Sequence, residues 1–270
     1  MTVLPVDKNG QVDPDDLKAA LDKETILVSI MGVNNEIGTI QPIKEISKVL
    51  EDYPNVTFHV DNVQALGKDI WDEVFTNRVD LMSLSAHKFH APRGVGILYK
   101  KEGKMIKPLI DGGGQEKGLR SSTENLPAIA ATAKAMRLYL SDEKKNAAQE
   151  LAVKKKIISY LDGKPGIHIF SPINDKFIPS VLCFSLEGIR GETLVHTLES
   201  KEIYVSTTSA CSSRSGVESG TLNAMKVEDD LATGAIRLSF DPSNTIEEAE
   251  QFISVFDKIY KHFAEINHLK

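Results

Sequence analysis

Short apolar runs that alternate with helix-forming segments limit most strongly how this chain can fold. Ile26–Met31, Val56–Val60 and Leu81–Ser85 are rich in aliphatic side chains and are typical of buried strands. Between the first two lies a segment from Pro42 to Glu51, in which apolar residues recur on one helical face. Strands separated by helices favour parallel βαβ units, so the first half predicts an α/β sheet.

The same patterns predict the remaining elements. Strands are predicted at Val3–Val6, Val95–Tyr99, Ile167–Phe170, Val181–Ser185 and Ile236–Phe240, and helices at Asp15–Leu21, Pro127–Tyr160, Gly191–Ser200 and Ile246–His268. We expect two domains. Residues 1–140 would form part of a large domain with a mostly parallel sheet and helices on both faces, and residues 141–270 a smaller α+β domain.

Composition excludes several classes of partner. The 270 residues include 32 basic and 38 acidic side chains, a net charge of −6, with no long basic run. Direct binding to nucleic acid or to a membrane is therefore not expected. No apolar stretch is long enough to span a bilayer, and no signal peptide opens the sequence. With 2 cysteines the chain is not a disulfide scaffold, so we expect a cytoplasmic protein, and no metal site is predicted.

Polar side chains follow the strand Leu81–Ser85, with Ser85, His87 and Lys88 at its carboxyl end. Open α/β sheets bind ligands at that end of their strands. A lysine that is partly desolvated there can lose its proton and form a Schiff base with an aldehyde. The alternative interpretation is an ordinary surface lysine after a strand.

A second strand end carries Asp61, followed by Gln64. A carboxylate at this position can face a cationic ring nitrogen such as that of pyridoxal phosphate, and Gln64 could hydrogen-bond the ring hydroxyl. Alternatively, Asp61 is a helix N-cap.

Two further features place polar side chains within or just after apolar strands. The segment Asn34–Gly38 places amides after a strand, although the same composition is typical of a simple turn. Arg237 lies within an apolar strand, where it needs a carboxylate partner. A substrate could supply that carboxylate in bidentate form, or an internal ion pair could.

The two cysteines differ in their surroundings. Cys211 lies in a polar, small-residue segment typical of a mobile loop, where the nearby Arg214 would favour its thiolate. It is therefore a candidate nucleophile, with a structural cysteine as the alternative. Cys183 lies in an apolar strand and is expected to be inert.

Taken in order, these motifs resemble those of cysteine desulfurases, which are pyridoxal-phosphate enzymes of the class V aminotransferase, fold-type I group. The resemblance covers essentially the whole chain and implies that fold. The motifs that carry it are Val33–Gly38, His59–Asp61 with Gln64, Ser85–Lys88, Gly112–Glu116, Arg120–Thr123, Ser209–Ser212 and Ile236–Ser239.

The resemblance implies a role for each residue of the large domain that it matches. Lys88 would hold pyridoxal phosphate covalently and later move the substrate's protons. Asp61 would pair with the pyridine nitrogen and Gln64 with the ring oxygen, while Ser85 and His87 would bind the phosphate.

It also implies how substrate and partners are used. Thr123 would reach the cofactor phosphate of a second subunit, which implies a homodimer. Asn35 and Arg237 would hold the carboxylate of L-cysteine, and Cys211 would take its sulfur as a persulfide, leaving L-alanine. A sulfur-acceptor protein would then take the persulfide sulfur for iron–sulfur cluster, thio-cofactor or tRNA biosynthesis.

The chain departs from the family before Met1, where members carry early strands, a Gly/Thr-rich phosphate-binding turn and a stacking histidine. We therefore expect an incomplete large-domain sheet with exposed apolar edges. A fragment, a truncated product and one half of a split enzyme stay open. Two alternative functions also stay open: a silent dimerisation or sulfur-transfer domain, and a selenocysteine lyase-like enzyme.

Overall fold

The computed structural model describes residues 1–208 and 220–266. They fall into two compact units, named here after one residue of each. The lysine unit, which contains Lys88, comprises residues 22–32 and 43–142. The arginine unit, which contains Arg237, comprises residues 1–21, 33–42 and 143–270. Because these units are not contiguous in sequence, they do not test the predicted domain boundary at residue 140, which stays a prediction.

Helices and strands alternate along most of the described chain. The helices are α1 Pro14–Ala20, α2 Ile43–Glu51, α3 Trp71–Val74, α4 Leu126–Ser141, α5 Glu143–Leu161, α6 Gly191–Glu199, α7 Gly220–Ala224, α8 Asp229–Thr233 and α9 Ile246–Ile266. The strands are β1 Leu27–Met31, β2 Thr57–Asp61, β3 Leu81–Ser85, β4 Gly96–Lys100, β5 Ile167–Ile169, β6 Val181–Leu186, β7 Ser206–Thr207 and β8 Ala235–Ser239. No described helix is both long and apolar enough to cross a membrane.

In the lysine unit, strands β1 to β4 form one sheet in sequence order. The pairs β1–β2 and β2–β3 are parallel, and β3–β4 is antiparallel. One face of this sheet is buried, with Phe58 and Val60 of β2 fully covered, and the apolar stripe of α2 is buried too. The sheet is therefore mixed but mainly parallel, as the alternating pattern predicts.

Strand β1 lies at one edge of this sheet. Its side chains that point away from the buried face are exposed. Leu27 is 52% exposed and Met31 40% exposed, whereas Val28 between them is buried. Parallel sheets in α/β proteins are normally covered on both faces. Leu27 and Met31 therefore form an exposed apolar surface on β1.

In the arginine unit, the sheet order is β5-β6-β8-β7, with antiparallel pairing throughout the described strands. Every residue of β6 is buried. Helices α5 and α9 pack together, and the Phe184 ring of β6 meets the Phe256 ring of α9 edge-on at 5.4 Å between centroids. This unit therefore has a core on which both sheet and helices close.

Two predicted elements are wrong in their extent. The strand predicted at Val3–Val6 reduces to an isolated bridge between Val6 and Val12, because a strand forms only where a partner lies alongside. The helix predicted over residues 127–160 is two helices, α4 and α5, separated at Asp142, whose backbone leaves helical geometry. The short elements α3, α7, α8 and β7 carry no periodicity long enough to predict.

Candidate active site

Lys88 lies on a short 3-10 turn, Ala86–Phe89, that follows β3 directly. Ala86 and Phe89 are buried and anchor the turn, so His87 and Lys88 face outward and are exposed. The Ser85 hydroxyl and His87 Nδ1 are 3.0 Å apart and share a hydrogen bond. The two residues predicted to bind phosphate thus meet at the carboxyl end of β3, beside the predicted cofactor lysine.

Asp61 ends β2, the parallel neighbour of β3, and pairs in register with Ser83. Its Oδ1 accepts a hydrogen bond from the Val63 amide at 3.0 Å, which makes Asp61 the first residue of a turn rather than a helix cap. The carboxylate is exposed, and Gln64 within the turn is half-buried. Because the carboxyl ends of parallel strands meet at one edge, Asp61 belongs to the same edge as Ser85.

Thr123 lies in the same unit, in an irregular segment after the glycine-rich loop. Gln115 Oε1 accepts from the Ser122 amide at 3.2 Å, and Arg120 donates to the Ser121 carbonyl at 2.6 Å and to the Ser122 hydroxyl. These bonds order the backbone just before Thr123, whose side chain is exposed.

In the arginine unit, the segment Asn34–Gly38 forms a tight turn. Asn34 Oδ1 accepts from the amides of Glu36 at 2.8 Å and Ile37 at 3.0 Å, and the Gly38 amide donates to the Asn34 carbonyl at 3.0 Å. Gly38 has φ of +76°, and a Cβ atom there would lie 2.9 Å from Val181 Cβ. Both the backbone angle and the space require glycine.

Arg237 lies on β8 and contacts this turn. Its Nη1 donates to the Asn35 carbonyl at 3.0 Å, and its Nε donates to the Ser239 hydroxyl at 3.1 Å. Both acceptors are neutral, so these bonds leave the guanidinium charge available to a carboxylate. The structure therefore brings together the two residues predicted to bind the substrate carboxylate.

Of the two cysteines, the structure describes Cys183 alone. Its thiol is fully buried in β6, and this burial raises its pKa, with Glu36 raising it further and Arg237 opposing. A raised pKa removes the thiolate, so Cys183 is as unreactive as its apolar surroundings predict. Cys211 and the nearby Arg214 lie within residues 209–219, outside the described residues.

Sequence reasoning gave no role to His59, which joins three neighbouring strands. Its Nδ1 lies 2.8 Å from the Ser29 hydroxyl of β1, and its Nε2 lies 2.8 Å from the Ser83 hydroxyl of β3. Burial lowers the pKa of this imidazole, and the nearby Asp61 opposes that shift. The sequence feature that could have revealed this contact is a polar residue within each of three neighbouring apolar strands.

The described residues contain no group of His, Cys, Asp or Glu suited to hold a metal ion.

The predicted site residues form two groups, one in each unit. The lysine unit holds Asp61, Gln64, Ser85, His87, Lys88 and Thr123. The arginine unit holds Asn35 and Arg237 in direct contact.

Comparison with known proteins identifies relatives along the whole chain. Residues 1–252 match the class-V aminotransferase family. A NifS/IcsS protein homolog of Lactobacillus delbrueckii subsp. bulgaricus is 71% identical over 269 residues, spanning 100% of this chain and 70% of the relative. Cysteine desulfurase IscS of Clostridium botulinum is 41% identical over 272 residues, spanning 100% of this chain and 68% of the relative.

Solved structures agree with these matches. A NifS-like protein superposes with a TM-score of 0.87 at 39% identity, covering 97% of this chain and 68% of that one. The X-ray structure of a NifS-like protein from Rickettsia africae gives 0.85 at 30% identity, covering 96% and 69%. The fold is therefore that of the fold-type I pyridoxal-phosphate enzymes, as the motifs predict. The chain belongs to the class-V aminotransferase family, within its NifS/IscS cysteine desulfurase group of pyridoxal-phosphate enzymes.

Proposed function

We propose that this chain acts as a cysteine desulfurase, which converts L-cysteine to L-alanine and passes the sulfur to an enzyme cysteine. The observation that carries the proposal is the set of side chains at the carboxyl ends of two parallel strands in the lysine unit. There Asp61 ends β2, and Ser85, His87 and Lys88 follow the parallel strand β3. The named relatives support the same reaction.

The side chains at this edge suit pyridoxal phosphate. Lys88 offers an amine to the cofactor's aldehyde, and Asp61 offers a carboxylate to its pyridinium nitrogen. Ser85 and His87, already joined by a hydrogen bond, offer a hydroxyl and an imidazole to its phosphate. Gln64 would contact the ring oxygen, and Thr123 would contact the phosphate held by a second subunit of a homodimer.

The bound cofactor supplies an electron sink that lowers the cost of breaking bonds at the substrate's α-carbon. The protein's own groups then orient and move protons. The Asp61 carboxylate would keep the ring nitrogen protonated, and the exposed Lys88 amine would carry protons to and from the substrate carbon.

The substrate carboxylate would bind to Arg237 and Asn35. A guanidinium that contacts neutral oxygens at 3.0 and 3.1 Å keeps its charge for a bidentate carboxylate. The Asn35 side-chain amide would add a further donor. This pair selects an amino acid over a simple amine.

The sulfur acceptor on the enzyme would be Cys211. Its thiolate would attack the substrate sulfur and form a persulfide, while the carbon–sulfur bond breaks and the carbon is protonated to give alanine. Cys183 is unsuited, since its thiol is fully buried and its pKa is raised. The persulfide would pass to an acceptor protein for iron–sulfur cluster, thio-cofactor or tRNA biosynthesis, in the cytoplasm.

A second candidate function is a silent dimerisation or sulfur-transfer domain. The exposure of Asp61, His87 and Lys88 favours it, because phosphate and aldehyde groups are held best where water is excluded. The two candidates differ in one visible property, since the desulfurase would be yellow when purified with pyridoxal phosphate.

The test compares Lys88→Ala with Lys48→Ala, an exposed lysine of α2 in the same unit. We expect the wild-type chain and Lys48→Ala to gain a visible absorbance band with pyridoxal phosphate. Lys88→Ala should lack it. A band of equal strength in Lys88→Ala, or no band in the wild-type chain, would contradict the assignment.

A further inference from the structure

Ser171 is a fully buried residue that follows β5 in the arginine unit and has no part in the proposed chemistry. Its hydroxyl donates to the Ile37 carbonyl at 2.6 Å and accepts from the Cys183 amide at 2.9 Å. The hydroxyl therefore bridges the Asn34–Gly38 turn and strand β6, with its proton and one lone pair both in use.

The position of this bridge is set by the backbone. The amide of the preceding Phe170 donates to the Cys183 carbonyl at 2.9 Å. Cys183 therefore holds the backbone next to Ser171 through its carbonyl and donates to the Ser171 hydroxyl through its amide. An ordered backbone and a fully buried site leave the side chain few alternative positions.

The bridge closes a ring of contacts around the predicted carboxylate-binding pair. Cys183 on β6 is the register partner of Arg237 on β8. Arg237 in turn donates to the Asn35 carbonyl at 3.0 Å. Asn35 and Ile37 lie in one turn, which Asn34 Oδ1 caps. The turn is thus tied to the sheet twice, once through Arg237 and once through Ser171.

Other ties hold the far end of the turn. The Ile178 amide donates to the Gly38 carbonyl at 2.9 Å, and the Ile40 amide donates to the Lys176 carbonyl at 2.8 Å. The Ile178 carbonyl accepts from Lys154 Nζ at 3.1 Å. The Ser171 bond acts on Ile37, closer in sequence to Asn35 than these contacts are.

We propose that Ser171 is a positioning residue that holds the Asn35 amide at a fixed place relative to the Arg237 guanidinium, so that both receive one substrate carboxylate. The inference rests on the proposed function for the identity of that carboxylate. Two groups that bind one small anion must converge within a fraction of an ångström, and a second tie to the sheet supplies that precision.

The test compares Ser171→Ala with Ser185→Ala. Ser185 is a fully buried serine of β6 whose hydroxyl has no hydrogen-bond partner among the described residues, so its replacement removes the same atom without breaking a bond. Ser171→Cys serves as a second variant should the alanine variant not fold, because its somewhat larger thiol leaves no cavity and forms weaker hydrogen bonds.

The first readout is amide hydrogen exchange of Glu36, Ile37 and Gly38. We expect about tenfold faster exchange in Ser171→Ala, since a buried hydrogen bond is lost, and a smaller increase in Ser171→Cys. Ser185→Ala should match the wild type. Exchange in Ser171→Ala no faster than in Ser185→Ala would overturn the proposal.

The second readout is ligand affinity of the protein loaded with pyridoxal phosphate. Ser171→Ala should weaken L-alanine binding about tenfold and leave ethylamine, the same amine without a carboxylate, unchanged. An unchanged affinity for L-alanine despite faster exchange would overturn the positioning role. If the wild-type protein binds no L-alanine, the proposed function fails, and hydrogen exchange alone then decides whether Ser171 holds the turn.

Discussion

Strands β6 and β1 show how differently the two units are built. Every residue of β6 is buried, whereas β1 alternates between a buried Val28 and exposed Leu27 and Met31. The residues predicted to bind the substrate carboxylate belong to the unit with the closed core, where the buried Ser171 hydroxyl ties the turn that carries Asn35 to β6. The residues predicted to bind the cofactor belong to the unit with the exposed strand face, and Lys88 itself is exposed. The two groups of site residues therefore differ: the carboxylate-binding group is held in place by its surroundings, and the cofactor-binding group is exposed to solvent.

The largest expected effect compares one apolar side chain from each unit, buried in the arginine unit and exposed in the lysine unit. Phe184→Ala should lower the free energy of unfolding by about 4 kcal/mol, because a fully buried ring leaves a cavity against Phe256. Leu27→Ala, at a position that is 52% exposed, should cost less than about 1 kcal/mol. Denaturant unfolding measures both, and equal losses would contradict the contrast between the units.

A second comparison isolates the Asn34–Gly38 turn. Gly38→Ala should cost about 3 kcal/mol, from a left-handed backbone angle and the 2.9 Å approach to Val181. Gly163→Ala shares a positive φ, +72°, but its Cβ would meet no atom within 4 Å, so it should cost about 1 kcal/mol. Equal costs in thermal unfolding would show that the turn is not packed against β6.

A third prediction concerns pH and the buried Lys154 of α5. Burial lowers the pKa of Lys154 from 10.5 to about 7. Between those values the unfolded chain binds the extra proton, so this residue's contribution to stability grows as pH rises above 7. From pH 7 to pH 9, the wild-type chain should gain about 2 kcal/mol relative to Lys154→Met.

Urea unfolding at several pH values measures this difference. Lys155→Met, at the exposed neighbouring position, should follow the wild-type profile. A wild-type chain whose profile runs parallel to that of Lys154→Met would show that Lys154 titrates in the folded state as it does in the unfolded state.

The smallest expected effect on stability comes from exchanging the proposed site cations, Arg237 of the arginine unit and Lys88 of the lysine unit. Arg237→Lys should weaken L-alanine binding about tenfold, because an ammonium cannot reproduce the bidentate guanidinium geometry. Its stability should change little, as should that of Lys88→Arg, since neither change removes a packed apolar group. Calorimetric titration of the loaded protein measures the affinity. An Arg237→Lys variant that binds L-alanine as tightly as the wild type would remove Arg237 from the site.

The sequence predicts elements where local pattern is sufficient. The bounds of β3 match the apolar run Leu81–Ser85, and those of β6 and β8 differ from prediction by one residue. The break at Asp142 was not predictable, because helical composition continues on both sides of it. Val3–Val6 has the composition of a strand but lacks a continuous partner.

The site shows the same limit. Lys88 and Asp61 are recognisable because strand ends are local features. The acceptor of Arg237 was not, since a sequence pattern cannot distinguish an ion pair from a bond to the Asn35 carbonyl. Ser171 gave no signal at all, because serine is ordinary in loops and its bridge depends on the approach of Ile37 and Cys183.

The most direct test of the desulfurase proposal is the location of sulfur after reaction with L-cysteine and pyridoxal phosphate. Peptide mass spectrometry should find one added sulfur atom on the peptide that contains Cys211 and none on the peptide that contains Cys183. The addition should disappear in Lys88→Ala and persist in Lys48→Ala. An unmodified Cys211 in the wild-type chain, or added sulfur that survives Lys88→Ala, would contradict the account.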